Sequence, residues 1–541
     1  MEAETGGGPA TPDPARPTTI PAVLERAAQE YADVEALVDA EIRMDFTALA
    51  AAVDVTARAL VGSGIEPGDR IGIWAPNMAR WAIAALAVHR SGATVVTVNT
   101  RFKGGEAAYV LRTAGARMLF TATDFLDTDY VELLGDRAEL PDLDEIVVLA
   151  GPARRDSTSW DDFLRRADPV APSESAARAA AIGPETTSDI LFTSGTTGAP
   201  KGAMLGHGAS VRAYDAWATV VGLQRGDRYL IANPFFHAFG LKAGILASII
   251  KGATMIPHAV FDVPSVMQRV AEEGVTMLPG PPAVYQTILD HPELDSYDLS
   301  TLRLAVTGAA TVPVEMIRRM RKELSFETIV TGYGLTEATG IATMCRHDDD
   351  PETIAKTAGR PIPDVEVRVF DDDGAPLGPG EPGEVVIRGY NVMKGYYGDP
   401  GATATTIDDD GWLHSGDIGV FDTDGNLRIT DRKKDMFIVG GFNAYPAEIE
   451  NMILAHPGVN QVAVVGVPDH RLGEVAMAFV IPRPDARIVP DELVAWCREE
   501  MANYKVPRYV EVVDALPLNA SNKVLKYELR ERGRVTVAAS S

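Results

Sequence analysis

A chain of 541 residues, 46% hydrophobic and 23% charged, is too long for one compact core and has the composition of a globular enzyme, which sets aside fibrous and largely disordered classes. Its formal net charge of -26 repels a phosphate backbone with no Lys/Arg run to offset it, so nucleic acid is excluded as a partner and any nucleotide must be held locally. Cys345 and Cys497 are too few for a disulfide framework, sit at no metal-ligand spacing, and suit a reducing cytoplasm.

Residues 1–18 have neither a positively charged start nor an apolar core, and read as a flexible tail and not a targeting signal. In the next segment Thr47 is positioned to cap a helix with Leu49, Val53 and Leu60 on its apolar face, and Gly62 and Gly64 stop it. A strand follows over 70–74, an amphipathic helix over 79–90 ended by Gly92, and a β-branched strand over 94–98. The apolar runs at 81–88 and 241–250 fall short of the ~20 residues that cross a bilayer, so no membrane span is expected. The same alternation predicts strands over 145–149, 189–193, 229–232, 276–278 and 302–306, with helices between them. Residues 174–183 read as a polar helix or link. The acidic triplets at 348–350, 371–373 and 408–410 read as solvated turns in preference to metal sites.

Strand-like segments over 365–370 and 384–388 suggest a β-subdomain, and the charged break ITDRKKDMFIVGG marks a domain boundary. Beyond it, a proline-started helix over 446–456, strands over 462–467 and 476–481, and a helix over 490–501 make a small α+β domain. The fold class is therefore α/β: a large N-terminal domain of mixed parallel sheets with helices, followed by a small mobile α+β domain.

Four segments carry chemistry. The run from Asp189 to Gly202, DILFTSGTTGAPKG, leads a strand into a loop whose glycines Gly195 and Gly198 let backbone N–H groups approach anionic oxygens. Thr193, Ser194, Thr196 and Thr197 add hydroxyl donors and Lys201 adds charge. It is not a Walker loop, which needs Lys followed at once by Ser or Thr, and its richness in Gly, Ser and Thr alone is equally that of a surface loop. Thr331-Gly332-Tyr333-Gly334-Leu335-Thr336-Glu337 offers an aromatic face for a base and one carboxylate for a metal that keeps most of its waters, although a Tyr between glycines also suits a tight turn. Asp417, within GWLHSGDIG, reads alone as a turn aspartate, and Lys523, in PLNASNKVLK near the C-terminus, reads alone as a surface charge.

In this order the motifs resemble those of the adenylate-forming superfamily, which holds acyl-CoA synthetases, aryl-CoA ligases, luciferases and peptide-synthetase adenylation domains; the resemblance covers about residues 20–530. It implies that 193–201 wraps the phosphates of ATP, and that Gly308, Ala309 and Ala310 lie along the adenine edge. Tyr333, between Gly332 and Gly334, stacks on adenine. Thr336 meets phosphate and Glu337 holds magnesium. Asp417 and Arg432 hold ribose, and Lys434 is the hinge of a segment 431–434 between an adenylating domain, 19–430, and a mobile domain, 435–541. Gly440 and Gly441 flank the pantetheine arm of coenzyme A. Lys523 is the catalytic lysine, with Lys526 as the alternative, because Asn522 stands where the family usually has Gly. His237, in NPFFHAFG, is either an acyl-side gate or a packed histidine.

Closer strings, NPFFHAFGLKAGILASI, MLPGPPAVYQTILDHP, AVTGAATVPV and GGFNAYPAEIE, resemble actinobacterial acyl-CoA ligases of steroid degradation that act on a bicyclic indane-dione propanoate. The resemblance thus implies an acid:CoA ligase with ATP, magnesium and coenzyme A, a small carboxylic acid as partner, a cytoplasmic location, and a homodimer as one assembly left open. A fatty or aryl acid ligase, an enzyme that loads a carrier protein in trans, and a nucleotide-binding regulator are the rivals.

Overall fold

The computed structural model describes residues 16–40, 42–193, 200–308, 312–432, 435–439, 442–469, 472–484, 486–501, 503–518 and 523–540. By compactness the chain divides into Met1–Val367 with Ile387–Leu413, and Arg368–Val386 with His414–Ser541. The expected tail lies almost wholly outside the described residues, as does Lys434 of the expected hinge.

Among the described residues the first unit is built on three sheets. One has seven strands in the order Thr158–Ser159, Glu145–Ala150, Ala116–Ala122, Arg70–Trp74, Thr94–Thr97, Thr187–Thr193 and Lys201–Gly206. All neighbours pair in parallel except the last two, which pair antiparallel. The β-branched strand Thr94–Thr97 is buried at every position, as a strand covered on both faces must be. The second sheet runs Ile42–Asp45, Glu35–Asp39, Thr254–Pro257, Arg228–Ile231. Met277 bridges Tyr229 and Leu304 and so links it to Leu304–Thr307, Thr328–Tyr333, Thr343–Met344 and Arg360–Pro361. The strand expected over 276–278 is thus a single bridging residue.

Two local expectations change. Asp45, not Thr47, caps the helix Phe46–Gly62: its carboxylate accepts from Ala48 N–H at 2.7 Å, while Thr47 Oγ1 donates to the Ala32 carbonyl. Gly62 is the last helical residue and is small because a Cβ there would lie 2.1 Å from the Arg166 carbonyl oxygen. The helix Ala79–Ser91 is buried around almost its whole circumference and not amphipathic, since its alanines let strands and helices close on every side. Proline-started Pro172–Ala181 takes the helical alternative for its segment.

A four-stranded sheet, Val365–Phe370, Gly383–Gly389, Leu413–Phe421 and Leu427–Arg432, forms the expected β-region. In the second unit Val459–Asp469 and Gly473–Pro482 pair antiparallel over nearly their full length, and Tyr509–Val512 adds in parallel. The helices Pro446–Leu454 and Pro490–Glu500 pack on this sheet around Ile449, Ile453, Phe479, Leu493 and Cys497. Both cysteines are buried thiols. Among the described residues no helix is long and apolar enough to cross a membrane.

Candidate active site

The phosphate motif is a hairpin. Thr187–Thr193 and Lys201–Gly206 pair so that Thr193 and Lys201 stand opposite each other, which brings both ends of the Gly/Ser/Thr loop to one place. Ser194, Gly195, Thr196, Thr197 and Gly198 lie outside the described residues.

Against this hairpin sits the turn Thr336–Ala338, which follows the strand Thr328–Tyr333. Gly334 is required there, because a Cβ would lie 2.4 Å from the Gly340 carbonyl oxygen. Thr339 holds a left-handed φ of 55° and is secured by its hydroxyl donating to the Asn391 carbonyl at 2.6 Å; strain of this kind gathers at functional turns. Glu337 Oε1 accepts from Thr193 Oγ1 at 3.2 Å and from the Tyr396 hydroxyl at 2.9 Å. Among the described residues no hydrogen bond reaches Oε2. Burial and the neighbouring Glu337 carboxylate push the Tyr396 phenol up, so it stays a donor.

One carboxylate with an uncommitted oxygen fits magnesium, which takes few protein ligands, and among the described residues no cluster of three metal-ligating side chains exists. Gly308 ends the strand beside Gly332: Thr307 and Thr331 are register partners, and a Cβ on Gly308 would lie 3.6 Å from the Gly332 carbonyl oxygen. Two small residues therefore lie side by side, next to half-buried Tyr333, and leave the backbone uncovered by side chains of their own. Ala309 and Ala310 lie outside the described residues.

His237 is exposed, not packed in the core, and its Nδ1 accepts from Phe239 N–H at 3.2 Å. The segment before it is clamped by buried Asn77, whose amide donates to the Ile231 and Asn233 carbonyls and accepts from Phe235 N–H. Ala238 lies against Gly340, so the His237 segment touches the loop that follows Glu337.

Behind both motifs is an ionic network that the sequence reading missed. Asp189, fully buried at the phosphate strand, pairs with Lys242 and with His89 Nε2 at 3.0 Å, and Ser188 donates to it. Burial alone would raise the Asp189 carboxyl, but the Lys242 ammonium and the His89 ring hold it well below the usual range. Lys242 stands on the π-helix Phe239–Leu246, just past His237. The available signal was one Lys inside an apolar run, since a buried cation needs a partner. Lys242→Met is expected to cost about 3–5 kcal/mol by stranding Asp189, whereas Asp189→Leu with Lys242→Met should recover most of it. Urea midpoints of the single and double variants check this; equal losses would contradict it.

In the second unit Asp417 is 6% exposed, and the strand register sets it opposite Arg432, of which only the backbone is described. Lys434, Gly440 and Gly441 lie outside the described residues. The segment bearing Lys523 is closed by Leu525 N–H to the Pro517 carbonyl at 2.8 Å and by a Leu518–Val524 bridge. Lys523 is exposed there, and Lys526 pairs with Glu450 at 2.8 Å.

A family model described as AMP-binding enzyme matches residues 24–397, and one described as AMP-binding enzyme C-terminal domain matches residues 448–523. The chain is 48% identical to a methyl-dioxo-octahydroindenyl-propanoyl:CoA ligase of Rhodococcus jostii, over 95% of this chain and 99% of that one. It is 50% identical to the ligase of the same name from Mycobacterium tuberculosis, again over 95% of this chain and 99% of that one. The o-succinylbenzoate coenzyme A synthetase of Bacillus subtilis, solved with ATP and magnesium ion, is similar at 28% identity and a TM-score of 0.79, covering 94% of this chain and 98% of that one.

Proposed function

Since the chain belongs to the AMP-binding enzyme family, we propose that its acid is the bicyclic methyl-dioxo-octahydroindenyl propanoate named in its two ligase relatives. The reaction class is AMP-forming acid–thiol ligation, dependent on ATP and coenzyme A and passing through an acyl-adenylate. A carboxylate oxygen bonds to the α-phosphorus and pyrophosphate leaves. The thiol sulfur then bonds to the acyl carbon, its proton is lost, and AMP departs with the oxygen it gained.

The observation that supports the site assignment is the convergence of Thr193, Lys201 and Glu337, from segments far apart in sequence. Thr193, Lys201 and the loop hydroxyls orient the phosphates and steady the departing pyrophosphate. Glu337 would hold magnesium, which would supply neutralisation of charge on the phosphates. Tyr333 and Gly308 seat the base, Asp417 and Arg432 the ribose. Lys523 meets the charge that develops when two anions approach. Between the steps the segment 435–541 turns about Lys434, withdrawing Lys523 and bringing Gly440 and Gly441 to the thiol arm, with His237 at the acyl side. A cytoplasmic homodimer completes the proposal.

Thioester formation measured across bicyclic, aryl and medium-chain fatty acids tests the substrate. The proposal expects kcat/KM to be highest for the bicyclic propanoate; a fatty or aryl acid in first place would overturn it.

A further inference from the structure

Residues 393–397 run beside the phosphate hairpin as a strap. Met204 N–H donates to the Gly395 carbonyl at 2.9 Å, Lys394 N–H to the Met204 carbonyl at 2.9 Å, and Tyr397 N–H to the Gly202 carbonyl at 2.8 Å. Ala203 and Tyr396 form an antiparallel bridge. At the other end Met393 N–H donates to the Glu337 carbonyl at 2.8 Å. Gly395 has a φ of 131°, and a Cβ there would lie 2.8 Å from Thr403 Cγ2. Thr403 Oγ1 in turn accepts from Tyr396 N–H at 2.9 Å. The backbone of Tyr396 is therefore held from three sides.

Tyr396 is 9% exposed, its hydroxyl also meets Thr406, and two of its side-chain contacts reach the motif residues. The hydroxyl donates to Glu337 Oε1 at 2.9 Å, and the ring lies 5.2 Å from Lys201 Nζ, within cation–π range. A neutral ring can place an ammonium without cancelling its charge, which a carboxylate partner would do.

We propose that Tyr396 is a positioning residue that sets both the magnesium carboxylate and the phosphate lysine. Its hydroxyl, together with that of Thr193, engages one oxygen of Glu337 and leaves the other for the metal, while its ring holds Lys201 on the phosphate side of the hairpin. This rests on the assignment of Glu337 to magnesium and Lys201 to phosphate. The two contacts belong to different parts of one side chain, so Tyr396→Phe removes the first and Tyr396→Leu removes both.

The test is calorimetric titration of ATP, with magnesium and with a chelator, into the wild type, both Tyr396 variants and Glu337→Gln, with the magnesium dependence of pyrophosphate release followed in parallel and a thermal melt of each protein. Tyr396→Phe should bind metal-free ATP within about twofold of wild type, yet need roughly 10- to 100-fold more magnesium for half-maximal turnover, the loss typical of groups that orient a metal ligand. Tyr396→Leu should lose, in addition, about 2- to 30-fold in metal-free ATP affinity. A wild-type magnesium response in Tyr396→Phe, or Phe and Leu variants that bind metal-free ATP alike, overturns the proposal alone. A wild-type magnesium response in Glu337→Gln removes the metal assignment and the proposal with it.

Discussion

Lys523→Ala is expected to lower acyl-adenylate formation by about 100- to 1,000-fold, the loss typical of removing one preorganised group from developing transition-state charge. The adenylation step brings a carboxylate onto a polyphosphate, so charge repulsion is its main barrier and a cation its natural remedy. Among the two candidate lysines, Lys526 is engaged by Glu450, and pulling it away would leave a carboxylate that is 17% exposed with the Val464 N–H but no cation. Lys523 is exposed on a closed loop. Thiolysis of a supplied acyl-adenylate should remain within about threefold of wild type, because a thiol attacking the acyl carbon brings no second anion onto the phosphate, which is the repulsion Lys523 offsets in adenylation. Rapid-quench measurement of the two half-reactions separates the effects. Equal loss in both would contradict the role given to Lys523, and a larger loss in Lys526→Ala would transfer it.

Glu337→Gln is expected to raise the magnesium concentration for half-maximal pyrophosphate release at least about 10- to 100-fold, the loss already typical of groups that only orient a metal ligand. Gln keeps an acceptor for Thr193 Oγ1 and the Tyr396 hydroxyl, so the turn Thr336–Ala338 should keep its shape and the melting temperature should barely move. What disappears is the negative charge. The variant thus isolates electrostatics from packing. A magnesium titration indistinguishable from wild type would contradict the assignment.

The family was legible because several motifs recur in one order; alone, the hydroxyl-rich loop ending in Lys201 reads equally as a surface loop and the Gly-flanked Tyr as a tight turn. The β-branched run at Thr94 and the proline at position 446 likewise revealed a buried strand and a helix start. What stayed hidden is made by long-range contact. Tyr396 reads as one of two tyrosines after a glycine, and only the strap against Gly202 and Met204 aims it at Glu337. Lys242 is a cation inside an apolar run, and its partner Asp189, which also pairs with His89, comes from a distant segment. The helix Ala79–Ser91 misled because periodicity cannot tell an alanine face that meets water from one that meets another helix. Asp45 displaced Thr47 as cap because competing acceptors two residues apart are decided by backbone dihedrals that the sequence does not display.

Label transfer from the acid tests the adenylate route most directly. When the bicyclic propanoate carries heavy oxygen in its carboxylate and is turned over with ATP, magnesium and coenzyme A, mass spectrometry should find one labelled oxygen in AMP and none in pyrophosphate. Label in inorganic phosphate with ADP as the nucleotide product, or AMP formed without label, would contradict the account.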